Sequence, residues 1–456
     1  LKDLLTQPTR RPGIWELALP TITGNVIFAL AAMIQTRFVG ALGAQAVAAV
    51  GVSQRVLMTM QALFMAISIG LSALTARAWG ANDRQEAARV LTAGMVLTAV
   101  VSGALTVAVL VFSGPIAGMF GLDPATTAEA TENVRWVAVF VVGYATNIIV
   151  LAALRAASDV IRPLLFVFVT NGITVVLMYA FVFGRFGAPR MDSAGAPFAL
   201  GIVAMIGAAV LVFLWWRQKL TIGCDASQWR DRDRYRRLID IAYPAGLEQL
   251  CMQGGMLGFL AIIGHYYGKE AFAAYAIGTN LLNLAIVVGF GFSVAGSTLV
   301  GQYLGAGDFH TARRSGWRAM LFSVGSMSAI ALVTVIFAEA LARFFLGGGQ
   351  ELTVSYTMQF MYVMAAILPF MGVEFAIGGA LRGAGDTRYP LVVTLVSMLG
   401  ARIGLAIVAI QLNLPVVWVY GTMLVEYLAR GWLLVQRFRS GKWKNAIAGR
   451  LGRDFA

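Results

Sequence analysis

Apolar residues fill this chain in runs of roughly 20 or more, each long enough to cross about 30 Å of hydrocarbon as a helix. Short polar or basic stretches separate the runs. Twelve helical spans are predicted, at 14–37, 45–76, 90–113, 132–154, 161–184, 194–216, 238–266, 271–302, 317–344, 353–380, 388–411 and 415–436. The second and eighth exceed a minimal span and are expected to tilt or to project beyond the bilayer. The short alternating segments of a membrane β-barrel do not occur. The pattern therefore predicts an all-α polytopic membrane protein.

The pattern also repeats itself. LAALRAASDVIRP at 151–163 returns as GGALRGAGDTRYP at 378–390, and WGAND at 79–83 returns as LGAGD at 304–308. LALPTITGN at 17–25 resembles IAYPAGLEQ at 241–249, which sets Pro20 against Pro244 and Asn25 against Gln249. QAVAAVG at 45–51 likewise resembles EAFAAYA at 270–276. Spans 1–6 are thus repeated as spans 7–12. Each half holds an even number of spans, so both enter the membrane from the same side, as parallel repeats. The expected organisation is an N-terminal lobe over 1–216, a basic linker over 217–237, a C-terminal lobe over 238–436 and a basic tail over 437–456.

Composition agrees with this picture. Hydrophobic residues make up 59% of the 456 positions and charged ones 12%, too few to cover a soluble surface. The net charge of +13 could suggest nucleic acid, but the Lys and Arg sit in short clusters between apolar runs. The largest cluster is the 217–237 linker, with Arg217, Lys219, Arg230, Arg232, Arg234, Arg236 and Arg237. The positive-inside rule then places both termini in the cytoplasm. Trp15, Trp79, Trp215, Trp216, Trp317, Trp418 and Trp443 fall near span ends, where an indole suits the interface. The two cysteines, Cys224 and Cys251, are expected as free thiols. No cleavable signal peptide is evident, and the missing initial Met suggests a trimmed chain.

These residues together resemble the multidrug and toxic compound extrusion (MATE) transporters, over essentially the whole chain. The matching pieces are ELALPTITGN, FVGALGAQAVAAVG, AWGANDRQEAARV, LRAASDVIRP, GQYLGAGDFHTARR and LRGAGDTRYP, in that order and spacing. The resemblance implies a V-shaped, two-lobed arrangement in a bacterial inner membrane. It also implies export of organic, often cationic compounds by proton or sodium antiport. Small organic substrates and the lipid bilayer are the expected partners. Neither nucleic acid nor a cofactor beyond the coupling ion is expected, and the protein should work as a monomer. Two positions depart from the family pattern. Gln35 stands where members often carry an acid in the first span, and Met178 stands at the acid of a V-L-D-Y pattern in the fifth. The N-terminal lobe therefore lacks the buried carboxylates that would bind a coupling cation there.

An ionisable side chain at membrane depth is costly, so it is a functional candidate by default. Glu248, four residues after Pro244, occupies a place the family also uses for an acid. Glu374 lies about one helical turn from the family's usual acid position, where this chain has Met371. Both are expected to load and release the coupling cation, and a carboxylate that takes up a proton loses its attraction for a cationic substrate. Glu426 and Arg430, spaced i,i+4, are expected to form a structural pair. The same spacing predicts pairs between Arg155 and Asp159 and between Arg382 and Asp386 at the repeated turns. Pro163 and Pro390 suit the first turn of the following helix, where a missing N–H costs little.

Polar residues that could line a cavity are Asn25, Gln35, Tyr144, Asn147 and Asn171 in the first half, with Gln249, Gln253, Asn280 and Asn283 in the second. The alternative for each is an interhelical hydrogen bond. Arg37 could snorkel outward. Arg55 and Arg402 lie deeper; either could pair with a carboxylate or bias the cavity against cations. Those arginines keep open a second reading, a flippase for a lipid-linked or anionic amphipathic substrate from the same superfamily. No Walker A sequence, HExxH motif or Cys/His metal spacing occurs, and nothing in the sequence points to an enzyme.

Overall fold

The structure is a computed structural model that describes residues 12–346 and 351–446. The described residues are helical throughout their spans, with no strand among them. In chain order the helices are α1 (Ile14–Gly40), α2 (Ala44–Gly80), α3 (Arg84–Gly118), α4 (Pro124–Ala156), α5 (Ile161–Phe183) and α6 (Gly195–Trp216). There follow α7 (Arg232–Gly305), α8 (Phe309–Ile336), α9 (Ala338–Leu346), α10 (Glu351–Gly383), α11 (Arg388–Val396), α12 (Leu405–Gln411) and α13 (Val416–Arg439).

Among the described residues, ten helical segments are long and apolar enough to cross a membrane, counting α11 through α12 as one. The 74-residue α7 breaks at Gly268, whose φ of 81° leaves the helical region, and so supplies the expected seventh and eighth spans without a true loop. The 24-residue α13 carries Glu426 and Arg430 in its interior and completes the expected twelve. The expected ninth span, 317–344, is instead two helices, with α8 ending before Phe337.

Several helices start well before their apolar runs because capping, rather than hydropathy, sets their first turn. The Asp83 carboxylate accepts from the Glu86 amide at 2.8 Å, and Asp308 accepts from the Thr311 amide at 2.9 Å. Asp123 does the same at the head of α4, accepting from the Thr126 amide at 3.0 Å. Such caps contribute about 1 kcal/mol each by satisfying amides that the helix cannot. The residue before each repeated Asp is left-handed: Asn82 (φ 62°), Ser158 (φ 67°), Gly307 (φ 74°) and Gly385 (φ 83°). Each turn then closes with the same backbone bond, 2.9 Å long, from the Asp amide to the carbonyl five residues earlier: Ala78, Leu154, Tyr303 and Leu381 respectively. The repeated motif is thus a repeated Schellman-type helix stop.

The chain forms two compact units, Thr23–Ala242 and residues 12–22 together with 243–446. The boundaries therefore lie inside α1 and α7 and leave the 217–237 segment within the first of these units. The core of the Thr23–Ala242 unit is built from α2, α3 and α4 around Phe64, Leu71, Leu91, Val141 and Ile149. The other unit buries an aromatic cluster in which Tyr275 packs edge-on to Phe360 at 5.3 Å and Tyr420 meets Phe360 at 5.1 Å. Its helices approach closely because glycine permits it. A Cβ on Gly379 would lie 2.4 Å from the Ser293 carbonyl oxygen, and one on Gly383 would lie 2.2 Å from that of Ser297. Trp443 departs from its expected interfacial role: it is buried and stacked on Phe438 at 4.8 Å, with its indole N–H donating to the Phe438 carbonyl.

Candidate functional site

Four helices of the 243–446 unit place charged side chains in its interior. Glu248 comes from α7, Glu374 and Arg382 from α10, Glu426 and Arg430 from α13. Arg402 comes from Ser397–Gly404, between α11 and α12, where the backbone takes the wider i→i+5 π pattern. A π turn inserts one residue per turn and so re-aims a side chain that a regular helix would send elsewhere.

Arg430 is the hub. Its Nη1 donates to Glu374 Oε1 at 2.7 Å, its Nη2 to Glu426 Oε1 at 2.5 Å and its Nε to the Ser397 hydroxyl at 3.2 Å. Arg402 Nε donates to the other oxygen of Glu426. The side chains of Arg430 and Glu426 are essentially sealed, at 1% and 0% exposure. Two acids and two guanidinium groups thus balance in one buried chain of contacts. Such a group is stable only while complete, because each ion has lost its hydration. Glu426 and Arg430, four apart on α13, are in direct contact, and Arg402 takes the carboxylate-pairing option left open by the sequence.

Glu248 is also held by an arginine. No basic residue lies near it in sequence, yet Arg382 Nη1 donates to Glu248 Oε1 at 3.0 Å from 134 positions away. The Thr394 hydroxyl approaches the same oxygen at 3.4 Å. Arg382 therefore serves Glu248 rather than the expected Asp386, and Asp386 instead accepts from Arg437 Nε at 2.7 Å. The cause is local: the left-handed Gly385 turns the Asp386 amide back to the Leu381 carbonyl, and its carboxylate meets α13. In the other half Asp159 accepts from Arg162 Nη1 at 2.8 Å and from the Thr221 hydroxyl. Thr394 near the end of α11 and Ser397 at the start of the π turn are three apart, so one face touches both acid–arginine groups. Sequence paired Arg382 with Asp386 and passed over Thr394 and Ser397, because nothing local marks these contacts.

The Thr23–Ala242 unit differs. Every buried carboxylate among the described residues, Glu248, Glu374, Asp386 and Glu426, belongs to the other unit. Here a cavity of about 130 Å³ opens between α1, α2, α4, α5 and α6. Gln35, Gln54, Ser53 and Tyr144 give it polar points, among Val39, Val50, Leu57, Val137, Met178 and Leu200. It brings together Gln35 and Tyr144 of the predicted set. Asn147 instead donates to the Ala204 carbonyl at 3.0 Å, and Asn171 donates to the Val167 carbonyl in its own helix at 2.8 Å. Asn25 is half-buried and does not line this cavity. In the other unit Gln249 is half-buried, Gln253 and Asn283 are exposed, and the Asn280 side chain lies outside the described residues. Gln54 and Ser53 went unread in the sequence beside the more conspicuous Arg55, which is exposed, as is Arg37.

Comparison with known proteins follows the same two halves. A family model described as MatE matches residues 20–180 and again residues 244–408. A protein named "Probable multidrug resistance protein NorM" from Thermotoga maritima is 30% identical over 455 residues, 97% of this chain and 95% of that one. An uncharacterized transporter of Bacillus subtilis, YisQ, is 25% identical over 87% of each chain. Among solved structures, a MOP superfamily transporter from Pyrococcus furiosus superposes with a TM-score of 0.87 at 18% identity, over 95% of this chain and 96% of that one. A substituted form of the Vibrio cholerae MATE transporter VcmN gives 0.86 at 19% identity, over 96% and 97% of the two chains. The twice-matched family model and the full-length relative show that this chain belongs to the MATE family of membrane transporters, and is not an enzyme.

Proposed function

We propose that this chain exports organic, cationic or amphipathic compounds by alternating access, driven by inward movement of protons or sodium ions. Glu248 and Glu374 take up the coupling cation. The observation that carries this reading is the confinement of the buried carboxylates to one unit, each acid bound to an arginine. A proton added to Glu374 cancels its attraction for Arg430, and Arg430 retains Glu426 as counter-charge. A proton on Glu248 frees Arg382 in the same way. Cation uptake at either acid therefore changes which side chains hold α7, α10 and α13 together, and that converts ion binding into movement.

The neutral cavity of the other unit suits the substrate's body. Its apolar walls accept varied shapes, and Gln35, Gln54 and Tyr144 supply adaptable hydrogen bonds. Multidrug resistance is part of the name of the Thermotoga maritima relative, which supports drug-like compounds as cargo. The two lobes that move are the compact units, Thr23–Ala242, which includes the 217–237 segment, and 12–22 with 243–446. The Lys and Arg distribution supports a bacterial inner membrane location with both termini in the cytoplasm, and one chain supplies all the parts named, so a monomer suffices. A flippase for anionic substrates would need free basic groups in a cavity, and Arg402 is held by Glu426.

Purified protein in liposomes tests this reading. Uptake of a fluorescent organic cation is expected under an imposed pH or sodium gradient. No movement under either gradient would favour the flippase and end the drug-export reading.

A further inference from the structure

The 217–237 segment is built as a fixed platform, not a slack tether. Its inner side is fastened to its own unit. Trp215 Nε1 donates to the Gly223 carbonyl at 2.9 Å, and the Gln218 side chain closes a small loop on the Cys224 backbone at 2.8 and 3.1 Å. Asp225 accepts from Arg89 Nε at 3.0 Å, and its carbonyl accepts from the Thr92 hydroxyl at 2.9 Å. Arg234 is buried and holds both Glu86, at 2.9 Å, and Asp231, at 3.2 Å. Two of the segment's three carboxylates, Asp225 and Asp231, are thereby spent on inward ion pairs.

What remains outward is strongly basic. Arg217, Lys219, Arg230, Arg232 and Arg236 are exposed, against a single exposed carboxylate, Asp233. Two indoles accompany them: Trp216 is 67% exposed and Trp229 is 45% exposed, with the Arg230 guanidinium 4.6 Å from the Trp229 ring centre. Exposed arginines beside exposed indoles, directly at the end of a membrane helix, fit the layer where phosphate headgroups meet acyl chains. We infer that this platform binds the anionic phospholipid headgroups of the leaflet it faces, with Arg217, Arg230, Arg232 and Arg236 on the phosphates and Trp216 and Trp229 at the headgroup level. The inference rests on the loop alone and is independent of the transport reading.

The arginines make the test direct, because trypsin cuts after them. The full chain is placed in nanodiscs of pure phosphatidylcholine, or of phosphatidylcholine with a third phosphatidylglycerol. Cleavage at 217–236 is then measured relative to the exposed Arg185 and Arg190, which lie in a different loop and serve as internal reference. Phosphatidylglycerol is expected to slow relative cleavage at least about tenfold, and 0.5 M salt to restore it, since headgroup attraction is screened. A variant carrying W216A and W229A keeps every cleavage site and every charge, and should lose roughly two-thirds of the protection. Equal cleavage in the two discs would overturn the proposal. So would protection by inorganic phosphate alone, which would identify a simple anion site.

Discussion

Arg430 joins two acids from different helices, with Nη1 at 2.7 Å from Glu374 on α10 and Nη2 at 2.5 Å from Glu426 on α13. Removing that one guanidinium leaves Glu374 buried without its arginine and Glu426 with Arg402 alone. R430A should therefore lower stability by about 3–5 kcal/mol, the range for breaking one side of a buried pair. R430K should recover only part of the loss, since an ammonium cannot present the same forked contact to both acids. Thermal unfolding of the purified protein in detergent reads both. A near-neutral R430A would show that the cluster is not a working unit.

Glu248 and Arg382 form the second such contact, at 3.0 Å between α7 and α10. If they depend on each other, E248Q and R382Q together should cost less than the sum of the two single changes. The coupling expected for charged side chains in direct contact is about 0.5–3 kcal/mol. A double-mutant cycle on unfolding midpoints measures it, and strict additivity would separate the two side chains.

Close helix approach gives a steric prediction. G379A and G383A each push a methyl group into a serine carbonyl of α7, at 2.4 and 2.2 Å, and backbone cannot swing aside as a side chain can. Each should destabilise by about 1–3 kcal/mol. Gly325 on α8 has open space around the same position, so G325A should be neutral or slightly stabilising. Equal effects at all three sites would contradict the packing described.

The 217–237 platform carries a pH prediction. The Ser227 side chain and amide, with Gln85 and Arg89, hold the Asp225 carboxyl well below the usual carboxylate range. A depressed carboxyl favours the folded loop at every pH above the unfolded value of about 3.9, and that contribution disappears as pH falls through the folded value. Hydrogen exchange of the Asp225–Ser227 amides should therefore show loss of protection only in strong acid, and D225N should show it already at neutral pH. Burial and the Asp225 charge also push the neighbouring Cys224 thiol up. In a C251S background, D225N should speed maleimide labelling of Cys224 several-fold at pH 8, whereas unchanged labelling would mean that Asp225 does not hold the loop.

The two halves differ in how far their features could be read from sequence. The turns at Asp83 and Asp308 stood out in sequence only as the repeat WGAND and LGAGD, because the caps that start the following helices lie ahead of the apolar runs that define the spans. Glu426–Arg430 was legible from spacing alone, as an i,i+4 pair within one helix. Glu248–Arg382 and Glu374–Arg430 were not, since 134 and 56 positions separate the partners and only tertiary packing joins them. Arg402 was further disguised, because the π turn at Ser397–Gly404 shifts the register that an ordinary helical reading assumes. The equal spacing of Arg382 and Asp386 misled for the opposite reason: proximity in sequence offered a partner, and a closer one lay across the bundle.

Gradient-driven efflux from proteoliposomes tests the proposed coupling, in which cation uptake at Glu248 and Glu374 drives export. Wild type, E248Q, E374Q and the double variant are compared at matched incorporation, with an imposed proton gradient and then a sodium gradient. Each single variant is expected to lose most gradient-driven efflux and the double variant to lose all of it, while binding of the fluorescent cation persists. Full gradient-driven efflux by the double variant would show that neither acid carries the coupling cation.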